Sequence, residues 1–416
     1  MDSSKPQKTI VVGAGVIGSA IAYELQKRGH SVTLVDRDAP GNGASYGNMG
    51  SIAVTEFMPV ARASTWKQIP GWLVNPKGPI RASPTYMPRL IPWFVRFLAS
   101  SRPSVVQRLE AAGAALCERS LEDTRALLAE LGMAEHLSSA GCLSLYASDQ
   151  EYEADRERID LLDRFGFDYE LLDSKAIRAL EPEITDNISK AILLPDNRTV
   201  ADPNKLVLGL FQGFRGLGGT FRTAEVTGFE RSDRINGVLL GDGDFVHADQ
   251  VILSAGAFTA RLSKLLNEPM PLETERGYHT QIMAPGIELT HSIIWPAKAF
   301  MVSPTAGGIR VGGTVEMAGL DAPPDYRRAK ITVHRAREAL PKLEVQDFAE
   351  WMGHRPAFPD TIPVMSASVK TAGVFYATGH GHLGLTHAAT CARLMSDLVT
   401  GVKPAIDLEP YRVDRF

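Results

Sequence analysis

The N-terminal stretch of the chain switches hydrophobic period twice. Thr9-Ile10-Val11-Val12 is a β-branched run halted by a glycine, the mark of a short buried strand. Ile17, Ala20, Ile21 and Leu25 then recur at helical spacing and predict a helix over residues 16–28, with Gly29 suited to the left-handed position just past its end. Val32, Leu34 and Val35 predict the next strand, which finishes at Asp36. The first strand and the helix are joined by the turn Gly13-Ala14-Gly15-Val16-Ile17-Gly18.

Downstream the pattern loosens. Over residues 56–101 prolines, tryptophans and basic residues interrupt any period and mark a long insertion. Its apolar part, residues 87–98 with Arg89 and Arg96, reads as a helix buried against its own domain, and a helix resting on a membrane surface is the lesser alternative. A long amphipathic helix is expected over 105–131, a strand over 141–146 and a charged helix over 150–165. Asp202-Pro203 supplies an N-cap and first-turn pair for a helix through about Phe214. Residues 220–230 and 237–246 predict paired strands with Gly241-Asp242-Gly243 in a hairpin turn. Residues 251–257 predict a buried strand whose small terminal residues let a nucleotide approach. Strands over 278–283 and 300–315 and a helix over 325–340 follow, and the block 351–398 is dense in glycine and histidine.

Composition narrows the function. A chain of 416 residues, 44% hydrophobic and 22% charged, has material for two packed cores. Its net charge of -4 provides no basic field for nucleic acid and turns the reading toward small-molecule chemistry. Cys117, Cys142 and Cys391 are odd in number, far apart and without CxxC spacing, which points to a reducing compartment and away from structural zinc. The start of the chain is short and polar and its apolar run feeds directly into the glycine turn, unlike a cleaved signal peptide, and no apolar run reaches spanning length. The expected location is the cytoplasm, with peripheral contact at the inner face of the membrane left open.

The glycines have separate tasks: Gly13 permits the tight turn, Gly15 lets backbone N–H groups reach phosphate, and Gly18 lets the helix pack closely on the strand. The helix N-terminus then faces an anion, and Asp36, about twenty residues past the last turn glycine, meets ribose hydroxyls. This predicts a dinucleotide site without separating FAD from NAD. A second turn, Gly381-His382-Leu383-Gly384-Leu385-Thr386, opens a helix and gathers unsatisfied N–H groups. His380 and His382 have no acid or cysteine close in sequence, so no metal is expected.

Further motifs are Ser45-Tyr46-Gly47-Asn48-Met49-Gly50, Ser254-Ala255-Gly256-Ala257, Arg276-Gly277-Tyr278 and Gly312-Gly313-Thr314-Val315-Glu316. The most specific are Gly353-His354-Arg355-Pro356-Ala357-Phe358-Pro359-Asp360 and Thr378-Gly379-His380-Gly381-His382-Leu383-Gly384-Leu385-Thr386. Over nearly its whole length the chain thereby resembles the D-amino-acid oxidase superfamily of flavoproteins, most closely its bacterial D-amino-acid dehydrogenase branch. The resemblance implies an α/β fold. A Rossmann-like FAD-binding domain (residues 1–55, 195–270 and 350–416) would interleave with an α+β substrate domain (56–194 and 271–349) containing an extended mixed sheet.

It also implies FAD held by Gly13, Gly15, Val16, Ile17, Gly18, Asp36, Arg37, Ser45, Asn48, Gly50, Ser51, Val226, Ala255 and Gly256. At the isoalloxazine end it implies Gly381, His382, Leu383, Gly384, Leu385 and Thr386, whose backbone donors would stabilise the negative charge of reduced flavin. Residues 43–51 contain neither histidine nor cysteine, so attachment is expected to be non-covalent. Arg355 stands where the family places its carboxylate-binding arginine, a planar and permanently charged fork, with an ion pair to Asp360 as the competing reading. Tyr278 matches a position whose phenol assists the carboxylate, against a packing role, and His382 would lie at the flavin edge.

The implied reaction is hydride transfer from Cα of a small D-amino acid to flavin N5, giving an imine and then a 2-oxo acid. No acid–base pair is expected. Arg310 stands near where a relative has an oxygen-assisting lysine, which favours a dehydrogenase passing electrons to a quinone or carrier. The alternatives are a secondary-amine substrate of proline-like or sarcosine-like type, or a flavin-carrying relay subunit with no substrate of its own.

Overall fold

The computed structural model describes residues 6–62, 78 and 80–416. The part of the expected insertion at 63–77 and 79 lies outside the described residues.

A six-stranded sheet gathers strands from separate stretches of the chain, in the order Val364–Ala367, Val374–Thr378, Gln250–Leu253, Lys8–Val12, Ser31–Asp36 and Thr220–Thr223. All neighbours run parallel except the hairpin at the Val364–Ala367 edge. Strands covered on both faces have no polar alternation, and Ile10, Val11, Val251, Ile252 and Leu253 are all buried. The helix Val16–Lys27 is buried from Val16 to Leu25 and packs on the helices Gly384–Thr400 and Pro203–Gly216. The last is opened by Asp202, whose carboxylate accepts from the N–H groups of Asn204 and Lys205 at 3.1 Å.

A second, nine-stranded mixed sheet contains the neighbours Phe348–Ala357, Glu273–Ile282, Gly308–Met317, Phe300–Thr305 and Ser292–Trp295, followed by Cys142–Tyr146, Lys190–Leu194 and Glu170–Asp173. Strand Phe348–Ala357 pairs with Glu273–Ile282 along its full length. The expected segment boundary at 350 therefore cuts through a strand that belongs to this sheet as far as Ala357.

Three expected elements divide. Residues 220–230 form two strands in different sheets, with Val226–Arg231 joining a small hairpin sheet. Residues 300–315 fold back at Ala306-Gly307. The helix over 150–165 breaks at Asp155, whose carboxylate is taken by Tyr146 and Arg158. Helix Met87–Ser100 buries Leu90, Trp93 and Phe97 but leaves Ile91, Val95 and Leu98 exposed. Among the described residues no helix is long and apolar enough to cross a membrane.

Candidate active site

A cavity of about 880 Å³ lies between the carboxyl ends of the parallel strands and one face of the mixed sheet. Strand Lys8–Val12 delivers the chain into Gly13 at φ +107°, where a Cβ would stand 2.5 Å from the Ser254 carbonyl oxygen. A Cβ on Gly18 would fall 1.8 Å from the Gly13 oxygen, so only glycine lets the helix close down on the turn. Ser45 Oγ accepts from the Val16 N–H at 2.9 Å. The other first-turn N–H groups have no intrahelical acceptor, and Gly15 and Ile17 line the cavity.

Asp36 also lines the cavity, but its carboxylate already accepts from Ala14 N–H at 2.6 Å and Asp38 N–H at 3.0 Å. Burial pushes its carboxyl upward and these two hydrogen bonds oppose the shift. Each carboxylate oxygen has a second lone pair, so the residue braces the turn and can still receive hydroxyls. Arg37 stacks 3.9 Å over the Phe258 ring, close to Val226, Ala255 and Gly256 on the wall.

The loop after the βαβ unit is held by its own side chains. Asn48 Nδ2 donates to the Ser45 carbonyl and its Oδ1 accepts from the Gly50 N–H, both at 2.8 Å. Arg310 donates to the Asn48 carbonyl and, at 3.0 Å, to Gln281. It braces this loop and is not on the cavity wall. Ser45, Asn48 and Ser51 line the cavity, whereas Gly18, Gly50 and Thr386 do not. Gly50, at φ +73°, accepts from Val200 N–H at 2.7 Å, and Thr386 Oγ1 accepts from Ala53 N–H at 3.0 Å. Gly50 and Thr386 are thus engaged with the protein's own backbone.

The second glycine turn opens onto the same cavity. Gly381, at φ +54°, donates to the Pro356 carbonyl at 2.8 Å, and the helix begins at Gly384. Gly381, His382, Leu383, Gly384 and Leu385 are all on the wall. His382 is exposed to the cavity, where desolvation by the surrounding wall, with Arg355 nearby, pushes its imidazole down to about 4, so it is neutral at physiological pH.

Arg355 reaches across its neighbour strand. Its guanidinium occupies the space that a Cβ on Gly277 would fill, 2.3 Å from Cζ, and Nη1 donates to the Thr314 carbonyl at 3.2 Å. Most of its donors remain for a ligand. Asp360 is not its partner, since both Asp360 oxygens accept from Arg415. Tyr278 shares the cavity wall with Arg355, but its phenol is engaged elsewhere. The side chain is 1% exposed, donates to Glu316 Oε2 at 2.6 Å and accepts from Asp325 N–H at 2.9 Å. Arg276 lies 3.3 Å from the same Glu316, so the expected carboxylate helper is part of a buried structural network.

Four chemically notable wall residues, His279, Trp351, Glu275 and Glu56, are not singled out by the sequence. His279 Nδ1 contacts the Gly47 carbonyl at 2.7 Å and its ring stacks on Trp351 at 5.2 Å. Glu275 is the register partner of Arg355, and Glu56 lies 3.6 Å from Arg158 Nη1. Register against Phe348–Ala357 was the only signal for the first three, and it requires the sheet order.

Two donor-bearing glycine turns, a carboxylate and small backbone-exposing residues on one cavity fit an FAD. The FAD-dependent oxidoreductase family model matches residues 8–398, and the chain belongs to that family. It is 32% identical over 417 residues to the D-amino-acid oxidase of Bradyrhizobium diazoefficiens, covering 98% of both chains. Identity to the D-amino acid dehydrogenase of Xanthobacter autotrophicus is 30% over 419 residues, covering 98% of this chain and 99% of the relative. In fold it is similar to glycine oxidase from Geobacillus kaustophilus (TM-score 0.77, 21% identity, 99% of each chain) and to L-proline dehydrogenase from P. horikoshii (TM-score 0.76, 18% identity, 99% and 98%).

Proposed function

We propose that this chain oxidises the Cα–N bond of a small D-amino acid to an imine, which water hydrolyses to a 2-oxo acid, with the electrons passed on to a quinone or carrier. Bound FAD supplies the two-electron acceptor for that oxidation. The observation that carries the reading is the Arg355 guanidinium, seated over Gly277 on the cavity wall with donors to spare. A flavin relay subunit has no use for such a fork. The full-length relatives named D-amino-acid oxidase and D-amino acid dehydrogenase support the substrate class.

In this reading Arg355 takes the substrate carboxylate, and the low-dielectric wall around it strengthens that bond. His279 stays uncharged because burial pushes it to about 3, so it adds no competing cation beside Arg355. The N–H groups at the start of helix Gly384–Thr400 would hold the pyrimidine end of FAD, and Gly13 to Ile17 its pyrophosphate.

A membrane-borne acceptor is favoured by one surface. From Phe57 to Leu109 the sequence has no Asp or Glu and eight Lys or Arg. Within it, helix Met87–Ser100 exposes Ile91 (58%), Val95 (61%) and Leu98 (47%) in a row. The exposed Arg89 and Arg96 of the same helix, beside this apolar ridge, suit an anionic bilayer. Co-sedimentation with anionic but not neutral vesicles, lost in Val95→Glu, is the expected result.

The test of function is anaerobic mixing with D-, L- and N-alkyl amino acids. Primary D-amino acids should bleach the flavin absorbance. Bleaching by N-alkyl substrates alone would move the reading to secondary amines, and none at all would leave a relay subunit. Arg355→Ala should lower kcat/KM by roughly 2–5 kcal/mol of transition-state stabilisation, chiefly through KM.

A further inference from the structure

Glu275, Gly277 and His279 share one face of the strand Glu273–Ile282, and that face lines the cavity. Glu275 is directly opposite Arg355 across an antiparallel pair. The arginine does not close onto it. Its guanidinium leans toward Gly277 and the Thr314 carbonyl, and among the described residues no ion pair or hydrogen bond to the Glu275 carboxylate forms. An anion thus stands in the cavity wall beside a cation, and the two groups remain separately available.

That spacing of opposite charges matches a zwitterion. An amino acid presents a carboxylate and an ammonium on one carbon, and a site that offers both countercharges pays for burying each of them. Given the carboxylate at Arg355 that the proposed function requires, the ammonium falls to the neighbouring acid. We propose that Glu275 is a catalytic residue that binds the substrate ammonium and accepts its proton.

The step balances without any redox change. One N–H bond of the ammonium breaks, an O–H bond forms on the Glu275 carboxylate, and the nitrogen keeps the electron pair. The neutral amine can then push that pair into the C=N bond as Cα is oxidised, which a protonated nitrogen cannot do. Burial raises the Glu275 carboxyl and Arg355 opposes the shift, a balance that suits a group required to ionise and then take a proton. His382 also faces Arg355, but held near 4 it is a weaker proton acceptor than a raised carboxylate.

The experiment is rapid anaerobic reduction of the holoenzyme by a D-amino acid across pH 6 to 10, for the native chain, Glu275→Gln and Glu275→Asp. Binding of a simple carboxylate that lacks an amine is read in parallel from the flavin spectrum. Glu275→Gln should slow reduction at neutral pH by roughly 10²-fold, the typical share of a general base. The deficit should close as rising pH deprotonates the amine unaided, and Glu275→Asp should recover part of the rate. The amine-free carboxylate should bind Glu275→Gln at least as well as the native chain. A loss that is uniform across pH, or an unchanged profile, overturns the role of Glu275 and leaves the proposed function standing. Failure of the native chain itself to be reduced by any amino acid overturns that function instead.

Discussion

Gly277 is the residue whose replacement by the smallest side chain should be felt furthest away. A methyl group there would occupy the place of the Arg355 guanidinium. Gly277→Ala should therefore raise KM for the amino acid about tenfold or more while FAD content and thermal midpoint hold, since Gly277 has an ordinary strand backbone. Tyr278, its neighbour, should behave oppositely. Tyr278→Phe removes the donor to Glu316 and the acceptor for Asp325 N–H, inside a network that includes buried Arg276. Thermal or urea unfolding should show a loss of about 1–3 kcal/mol, with KM unchanged. The sequence displayed both residues in one motif and suggested a purpose only for Tyr278. Which face each occupies depends on strand register, and register is not written in the motif.

At the scale of elements, the βαβ unit was readable because its contacts are local: strand, turn and helix follow one another and each glycine answers to its immediate neighbours. Gly18→Ala should leave the purified protein pale, because the new Cβ would lie 1.8 Å from the Gly13 oxygen and push the helix off the phosphate turn. Gly29→Ala, at the far end of the same helix where a Cβ meets nothing, should lose some stability and keep the flavin colour. Absorbance per protein after gel filtration separates the two. Elements whose partners are distant were less legible. Residues 220–230 are uniformly strand-like, yet they divide because Thr220–Thr223 has Ser31–Asp36 beside it and Val226–Arg231 has the hairpin. The expected boundary at 350 falls inside strand Phe348–Ala357 for the same reason, because its partner Glu273–Ile282 is distant in sequence.

Across the whole molecule, burial of neutral histidines sets an acid limit. His279 and His380 are pushed to about 3 and His387 well below its ordinary value, each chiefly by burial. Above the unfolded value of about 6.5 both states are neutral and the groups cost nothing. As pH falls below it, the unfolded chain binds protons that the folded chain refuses, and each group removes about 1.4 kcal/mol per pH unit until its folded value is reached. The thermal midpoint should be flat from pH 8 to 7 and fall ever more steeply from pH 6 to 4.5, and His380→Asn should soften that fall. What the sequence determined alone is what short-range physics can encode: the nucleotide turn, the acid at the end of the second strand, the helix caps and the family to which those motifs belong. The tertiary structure decided which side chains meet. It set Arg355 beside Glu275 and over Gly277, tied the Tyr278 phenol to Glu316, and used Gly50, Arg310 and Thr386 as braces, because pairing between strands distant in sequence fixes which side chains meet.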